Sequence, residues 1–598
     1  MGLLSRAGRF TTALVLIAAV VLAPWASNLG RAGPGGPGAR AAGRGAAAAT
    51  ADVYASEAAM AILARGGNAV DAAVAAAATL GVTKPFWCGI GGGGFMVVYL
   101  AASHRVVTID HDGVAPRAVT ASYLLQPGGR PIRYADATTG GIAPAVPGAV
   151  AGWDEALRRY GRLSLAGVLA PAIRVATDGF PRDAEFVAIT RANAARFRLS
   201  DASRRLFLTP SGAVPPVGSV FRNPDLAAAY RLIARDGPGA FYRGPIGWAV
   251  VRSVQQPPVL PGATRTVLPG VMTLADLADY QARLRPPVVS TYRGDTVYGM
   301  GLPSAGGIAL ALALNMLQGY DLGALPRADA LHLVIEVARR VYADRRAYLG
   351  DPAYTRPPVA GLLSPAYASV RRADIGRTAS PGSVAPGDPR PFQGEAAAPP
   401  AWAQAAETVG RSTTHLTVAD ADGDVVSYTY TLGEGGGNGF VVPGFGFLLN
   451  TDLANFVPLP GHPNAPAGGK RPLSTMTPTI VFAGGRPWLA LGSPGGGTIP
   501  TTVLQVLVDV LDFGMDLPTA IAAPRFFASS SVVTSAEPAF LASSDAAALE
   551  AVGHRFTRTG PLGIGAVTGI VFGPSSSVTA AAEPVRRGGG SALVERAP

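Results

Sequence analysis

Cysteine is nearly missing. Cys88 is the single one in 598 residues, which excludes an intrachain disulfide framework and any CxxC metal site. Lysine is almost as scarce, with Lys84 and Lys470 the only two. The net charge of +11 is therefore carried by arginines scattered through an Ala-, Gly- and Pro-rich chain. No Lys/Arg run and no basic patch interleaved with aromatics occurs, so nucleic acid is not an expected partner. The six histidines (104, 111, 332, 415, 462 and 554) form no HxxxH pair and no His/Cys cluster. No metal and no cofactor is expected. Long apolar runs are lacking too: the stretch 11–23 falls short of the roughly 20 residues that span a bilayer.

That stretch follows Arg6 and Arg9 and precedes Pro24, Trp25 and Ala26, the layout of a secretory signal. Residues 1–26 are expected to export the chain to the extracytoplasmic side. Cleavage after Ala26 and retention as an anchor both stay open, because Pro24 occupies a position that favours a small residue. A retained anchor would be the one expected membrane contact. The Gly/Pro/Ala-rich stretch 27–49 reads as a flexible tether.

Length alone predicts about four domains. The segment SEAAMAILARGG (56–67) has helical spacing, and Asn68 with Asp71 forms a capping box for a second helix. GIGGGGF (89–95) leads into two strand-like runs, MVVYL and RVVTID. Helical patterns recur at 154–160, 273–280 and 328–350. The Pro/Gly density of 378–401 predicts a mobile surface segment. Order resumes at THLTVAD (414–420), with an Asp422-Gly423 hairpin turn and the strand VVSYTYTL (425–432). A second hairpin turns at Gly484-Gly485. GSPGGG (492–497) then opens a helix capped by Thr498, with Pro500 in its first turn. The tail after Val585 reads as disordered. Hairpins mixed with long helices predict sheets covered by helices, with no repeat.

GIGGGG fits the dinucleotide pattern GxGxxG, but that reading needs a strand before the glycines and a helix after them. The predicted order is reversed, so a close-packed core turn is the better reading. Thr413 carries more chemistry. It stands in GRSTTH (410–415), between the Pro/Gly-rich linker and a strand. A threonine freed to be N-terminal has its own amine beside its hydroxyl. That amine titrates near 8, so an appreciable fraction is free at neutral pH to act as the base that an interior threonine lacks. The chain would then have to cut itself between Ser412 and Thr413. An ordinary surface Thr-Thr in a strand is the alternative.

TTHLTVADADGDVVSYTYTL (413–432) resembles the start of the small subunit of γ-glutamyltranspeptidases. The resemblance extends through RGGNAVDAAVA (65–75), GIGGGGFMVVY (89–99), PAIRVATDGFP (171–181), FYRG (241–244), PSAGGIALALALNML (303–317) and YADRRAYLGDP (342–352). Beyond Thr413 it includes KRPLSTMTPTIV (470–481) and GSPGGG (492–497). It implies an α+β fold, the four-layer αββα sandwich of N-terminal-nucleophile hydrolases. It also implies a precursor that divides into a large subunit (50–412) and a small one (413–598), paired as a heterodimer. The implied reaction is hydrolysis or transfer of glutathione-like γ-glutamyl amides, with a small-molecule amide as substrate.

Residue by residue, the resemblance makes Thr413 the nucleophile and Thr431 the hydroxyl that supports its amine and assists maturation. Gly495 and Gly496 become the oxyanion-hole pair, which also suits glycines ahead of a helix N-terminus. Ser474 and Thr475 match a Ser-Ser pair that holds the substrate carboxylate. The glutamyl clamp departs from the family pattern. Asp112 stands where an arginine is usual, and Gly433 where an asparagine is usual. Asn455 replaces an acid, and Asp452 falls where Glu or Gln is usual. Arg117 is a candidate substitute for the missing arginine. These changes leave two alternatives: an acylase for some other amide, and a non-catalytic surface protein that keeps only the fold. Cys88, without a histidine beside it, is a poor rival nucleophile, and His415 reads as structural.

Overall fold

A computed structural model of the chain describes residues 38–263, 265–398, 412–560 and 562–595. The predicted export signal (1–26) and the start of the tether lie outside the described residues. Two seven-stranded sheets dominate. The first contains β2 (Ala47–Thr50), β3 (Gly93–Leu100), β4 (Arg105–Asp110), β5 (Arg283–Arg285), β8 (Thr414–Ala419), β9 (Val425–Thr431) and β14 (Ser591–Val594). Its order is β14-β2-β8-β9-β3-β4-β5. The second contains β1 (Arg40–Arg44), β6 (Val288–Tyr292), β7 (Asp295–Gly299), β10 (Thr479–Ala483), β11 (Arg486–Gly492), β12 (Thr568–Phe572) and β13 (Ser577–Ala582). Its order is β1-β13-β12-β11-β10-β7-β6.

Period-two alternation fills both faces of the first sheet. Met96 and Val98 of β3 share a core with α1 (Val53–Leu63), α2 (Ala69–Thr83), α3 (Ala149–Tyr160), α4 (Leu165–Asp178) and α5 (Pro224–Asp236), whereas Phe95, Val97 and Tyr99 enter the core shared with the second sheet. The outer face of the second sheet is covered by α6 (Gly306–Leu317), α7 (Arg327–Tyr348) and α8 (Ile499–Leu511). The result is the four-layer αββα sandwich. The capping box at Asn68 and Asp71 is present, with Asn68 Oδ1 accepting from Asp71 N and Asp71 Oδ2 from Asn68 N.

Three stretches whose composition predicts looseness are ordered. Within the predicted tether, β1 pairs with β13 and β2 lies between β8 and β14, its Ala47, Ala48 and Ala49 fully buried. Alanine there is small enough to sit between stacked layers, and composition cannot distinguish it from linker alanine. The tail forms β14, with Ser591 opposite Thr50. Up to residue 398 the Pro/Gly-rich linker is held by α7: Gly387 N–H donates to Asp344 Oδ1 (2.8 Å), and Arg339 donates to Ser380 O (3.0 Å). Residues 399–411 lie outside the described residues.

The glycine run 89–94 follows α2 and leads into the first residues of β3, the reverse of a dinucleotide motif. A Cβ on Gly91 would lie 2.0 Å from Leu448 O, and one on Gly92 1.9 Å from Thr431 O. No side chain fits where these backbones cross. Gly92→Ala should therefore destabilise the chain by roughly 1–3 kcal/mol and push Thr431 out of place. Thermal denaturation should show the loss, and gel analysis should show slowed conversion to two fragments.

Candidate active site

The β8–β9 hairpin creates the site. Its register pairs Thr414 with Tyr430, so Thr413 faces Thr431, the last residue of β9. Thr413 Oγ1 donates to Thr431 Oγ1 at 3.2 Å, and Thr431 Oγ1 accepts from Gly433 N at 2.8 Å. Thr413 is buried and has φ +122°, a conformation unfavourable to a β-branched residue. Such strain costs on the order of 1–3 kcal/mol. It is concentrated at the residue following the peptide bond expected to break. Ser412 is clamped beside it: its N–H donates to Gly433 O (2.9 Å) and its hydroxyl to Trp87 O (2.9 Å).

Gly495 (φ +134°) and Gly496 (φ +57°) precede α8. Among the described residues no acceptor takes either N–H, while the carbonyls of this loop are pinned. Thr475 Oγ1 donates to Gly496 O at 2.8 Å, Thr498 Oγ1 to Gly495 O at 3.1 Å, and Tyr342 OH to Gly497 O. The loop thus presents donors at a helix N-terminus, the requirement for stabilising an oxyanion. A Cβ on Gly495 would stand 2.3 Å from Thr498 Oγ1. Ser474 N–H donates to Pro303 O at 3.0 Å, and its hydroxyl accepts from Met476 N–H at 3.3 Å.

Asp112 and Asp452 are both buried, at 4% and 2% exposure. Asp452 Oδ2 lies 2.6 Å from where a Gly113 Cβ would be, and Oδ1 lies 3.2 Å from where a Gly433 Cβ would be. Two sequence-distant carboxyls and Gly433 therefore meet beside Thr431. Burial pushes Asp452 up to about 7. Burial, with Asp452 and then Asp110 facing it, raises Asp112 well above the usual carboxylate range. Arg117 does not take the place of the missing arginine: its side chain is exposed and paired with Asp279. Asn455 is only partly buried, and its carbonyl accepts from Asn464 Nδ2 at 2.8 Å.

His415 bonds Thr429 (2.7 Å) and Thr417 (3.2 Å), and burial lowers it to about 3. It is a neutral strut between the sheets. Cys88 is buried, and burial pushes its thiol up, away from nucleophilic use.

Sequence reasoning missed a charged group beside Thr413. Lys84 pairs with Glu185 (2.6 Å), which accepts from Trp87 Nε1 (3.1 Å), while Arg587 stacks over Trp87. With Thr413 and Pro494 these residues line a cavity of about 20 Å³, room for one water. Residues 84 and 587 carried no local signal. Tyr342 opens YADRRAYLGDP, yet its contact with the glycine loop depends on how α7 packs.

A threonine at a strand start facing a second hydroxyl, on stacked sheets with a donor loop opposite, defines an N-terminal-nucleophile hydrolase. The chain belongs to the γ-glutamyltranspeptidase family: the family model "Gamma-glutamyltranspeptidase" matches residues 55–593. It is 35% identical over 524 residues to the glutathione hydrolase proenzyme of Bacillus subtilis (strain 168), covering 87% of each chain. It is 37% identical over 531 residues to the acylase ACY 1 proenzyme of Pseudomonas sp. (strain V22), covering 87% of this chain and 88% of that one. The structure of cephalosporin acylase from Bacillus halodurans matches with a TM-score of 0.82 at 28% identity, covering 96% of this chain and 99% of that one.

The buried acid pair predicts a pH signature in stability. Burial pushes the Asp452 carboxyl up to about 7 in the folded chain, against an ordinary value near 4 when unfolded. Folding is therefore progressively penalised as pH rises from about 4 through 7. Asp452→Asn removes that penalty. Its melting temperature should exceed that of the unaltered protein at pH 8 and approach it at pH 4.5. A difference that does not vary with pH would refute the assignment.

Proposed function

We propose that this chain is an autoprocessed threonine amidohydrolase that cleaves, or transfers the acyl group of, γ-glutamyl-type amides. The observation that carries the reading is Thr413: strained at φ +122°, its hydroxyl held by Thr431, at the head of a central strand. In maturation Thr413 Oγ1 attacks the Ser412 carbonyl, the C–N bond breaks, and the freed Thr413 amine takes the hydroxyl proton, leaving Ser412 joined to Oγ1 as an ester. Water then hydrolyses the ester, releasing the Ser412 carboxylate and restoring the Thr413 hydroxyl beside its new amine. Strain relief favours the first step. In turnover the new amine takes the hydroxyl proton as Thr413 attacks the substrate carbonyl, and passes it to the leaving amine. Gly495 and Gly496 N–H groups stabilise the oxyanion, a contribution of about a hundredfold or more per donor. Water or an acceptor amine resolves the acyl-enzyme.

Ser474 and Thr475 serve the substrate side, Thr475 also bracing the oxyanion loop. The two fragments, the larger ending at Ser412 and the smaller 413–598, remain one heterodimer, because each sheet contains strands from both sides of the cut, β1 and β2 of the larger fragment included. Residues 1–26 direct export. Among the described residues no helix is long and apolar enough to cross a membrane. A second reading, an acylase for an amide without the γ-glutamyl α-carboxylate, is favoured by Asp112. Retention of Thr413, Thr431 and both glycines argues against a non-catalytic protein.

Purified protein should resolve into two fragments, the smaller beginning Thr-Thr-His-Leu. Thr413→Ala should remain a single chain, and Thr431→Ala should mature more slowly by at least roughly tenfold, the loss of a positioned hydroxyl. An uncut wild type that still hydrolyses amides would overturn the nucleophile assignment.

A further inference from the structure

The geometry points to an acyl subsite in which Asp112 and Asp452 together receive a cationic group, selecting amides whose acyl chain ends in an ammonium and lacks an α-carboxylate. This rests on the amidohydrolase reading above and specifies its substrate class.

Ser412 locates the subsite. It is the acyl residue of the first bond that Thr413 is positioned to attack, and its N–H is held by Gly433 O at 2.9 Å. The acyl side of the reaction centre therefore runs along Gly433, and the Asp452 carboxyl abuts the Cα of Gly433. On the other side the same carboxyl abuts the Cα of Gly113, next to Asp112. Two glycines thus leave Asp452 flanked by hydrogen atoms where side chains would otherwise cover it.

The carboxyls are also unsatisfied. Both oxygens of Asp452 and Oδ1 of Asp112 are buried with no hydrogen-bond partner among the described residues. Orphaned acceptors at this depth are costly unless a donor arrives. An ammonium brings three donors and no acceptor, together with the charge that two adjacent carboxyls require.

The neighbouring cations are committed elsewhere. Arg471 and Arg285 both pair with Asp110, at 3.2 and 2.9 Å, and Arg471 also donates to Gln281 O at 3.0 Å. Arg117 pairs with Asp279 at the surface. Tyr280 OH donates to Asp112 O and not to its carboxyl. A substrate carboxylate entering here would meet two acids, with Arg471, the arginine that acts on Asp112, already paired with Asp110.

Four 4-nitroanilides that differ only at the acyl terminus test this: 4-aminobutanoyl (ammonium alone), γ-glutamyl (ammonium and carboxylate), glutaryl (carboxylate alone) and butanoyl (neither). The mature protein should turn over the 4-aminobutanoyl compound with a kcat/KM at least about tenfold above the γ-glutamyl one. Glutaryl should rank last, and the differences should lie mainly in KM. Asp112→Asn should shrink the 4-aminobutanoyl to γ-glutamyl ratio by roughly tenfold. If that variant does not mature, the wild-type ranking alone decides. A γ-glutamyl rate equal to or above the 4-aminobutanoyl rate overturns the inference and leaves the amidohydrolase reading standing. A preference unchanged in matured Asp112→Asn overturns it as well. A correctly cut protein that hydrolyses none of the four overturns both.

Discussion

The pairing of β8 with β9 is the constraint on which the site depends. It sets Thr413 opposite Thr431, and everything around that contact restrains it. β3 lies against β9 through glycines with no room for a side chain, so Thr431 cannot drift. Ser412 is tied to Gly433 and Trp87, so the bond before Thr413 cannot relax by swinging outward. The strain in Thr413 is sustained because both sides are over-determined.

The sheets would also hold a cut chain together. β2 inserts between β8 and β14, and β3 pairs with β9, so strands from before and after residue 412 alternate within one hydrogen-bonded ladder. Separating the pieces would expose ladder groups and the apolar cores on both faces of the first sheet.

The two ends of the proposed substrate fall to different parts of the fold. Amide cleavage is assigned to Thr413, the Thr431 hydroxyl and the N–H groups of Gly495 and Gly496 ahead of α8. Acyl binding is assigned to the place where Asp112 lies beside Asp452. The first proposed arrangement depends on the β8–β9 register and the α8 terminus, the second on the loops after β4 and β9.

Local pattern made part of this legible. The Asn68–Asp71 cap, the Asp422-Gly423 hairpin, the helix after GSPGGG and the reversed order around GIGGGG all follow from residues within a turn or two of one another. Thr413 was recognisable because the linker, the threonine pair and the strand are contiguous. Whatever depends on a distant partner was not. Alanines 47–49 and the segment 591–594 look like linker and tail, yet each is the other's strand partner across more than 500 positions. Arg117 looked available until Asp279 occupied it, and the closeness of Asp112 to Asp452 cannot be read from their separation. The sequence by itself determined the local elements and the residue types needed for amide cleavage, since caps, turns and periodicity act over a few residues. Only the tertiary structure decided which charges are paired and which carboxyls are left facing one another, because burial and electrostatics are set by neighbours brought together from opposite ends of the chain.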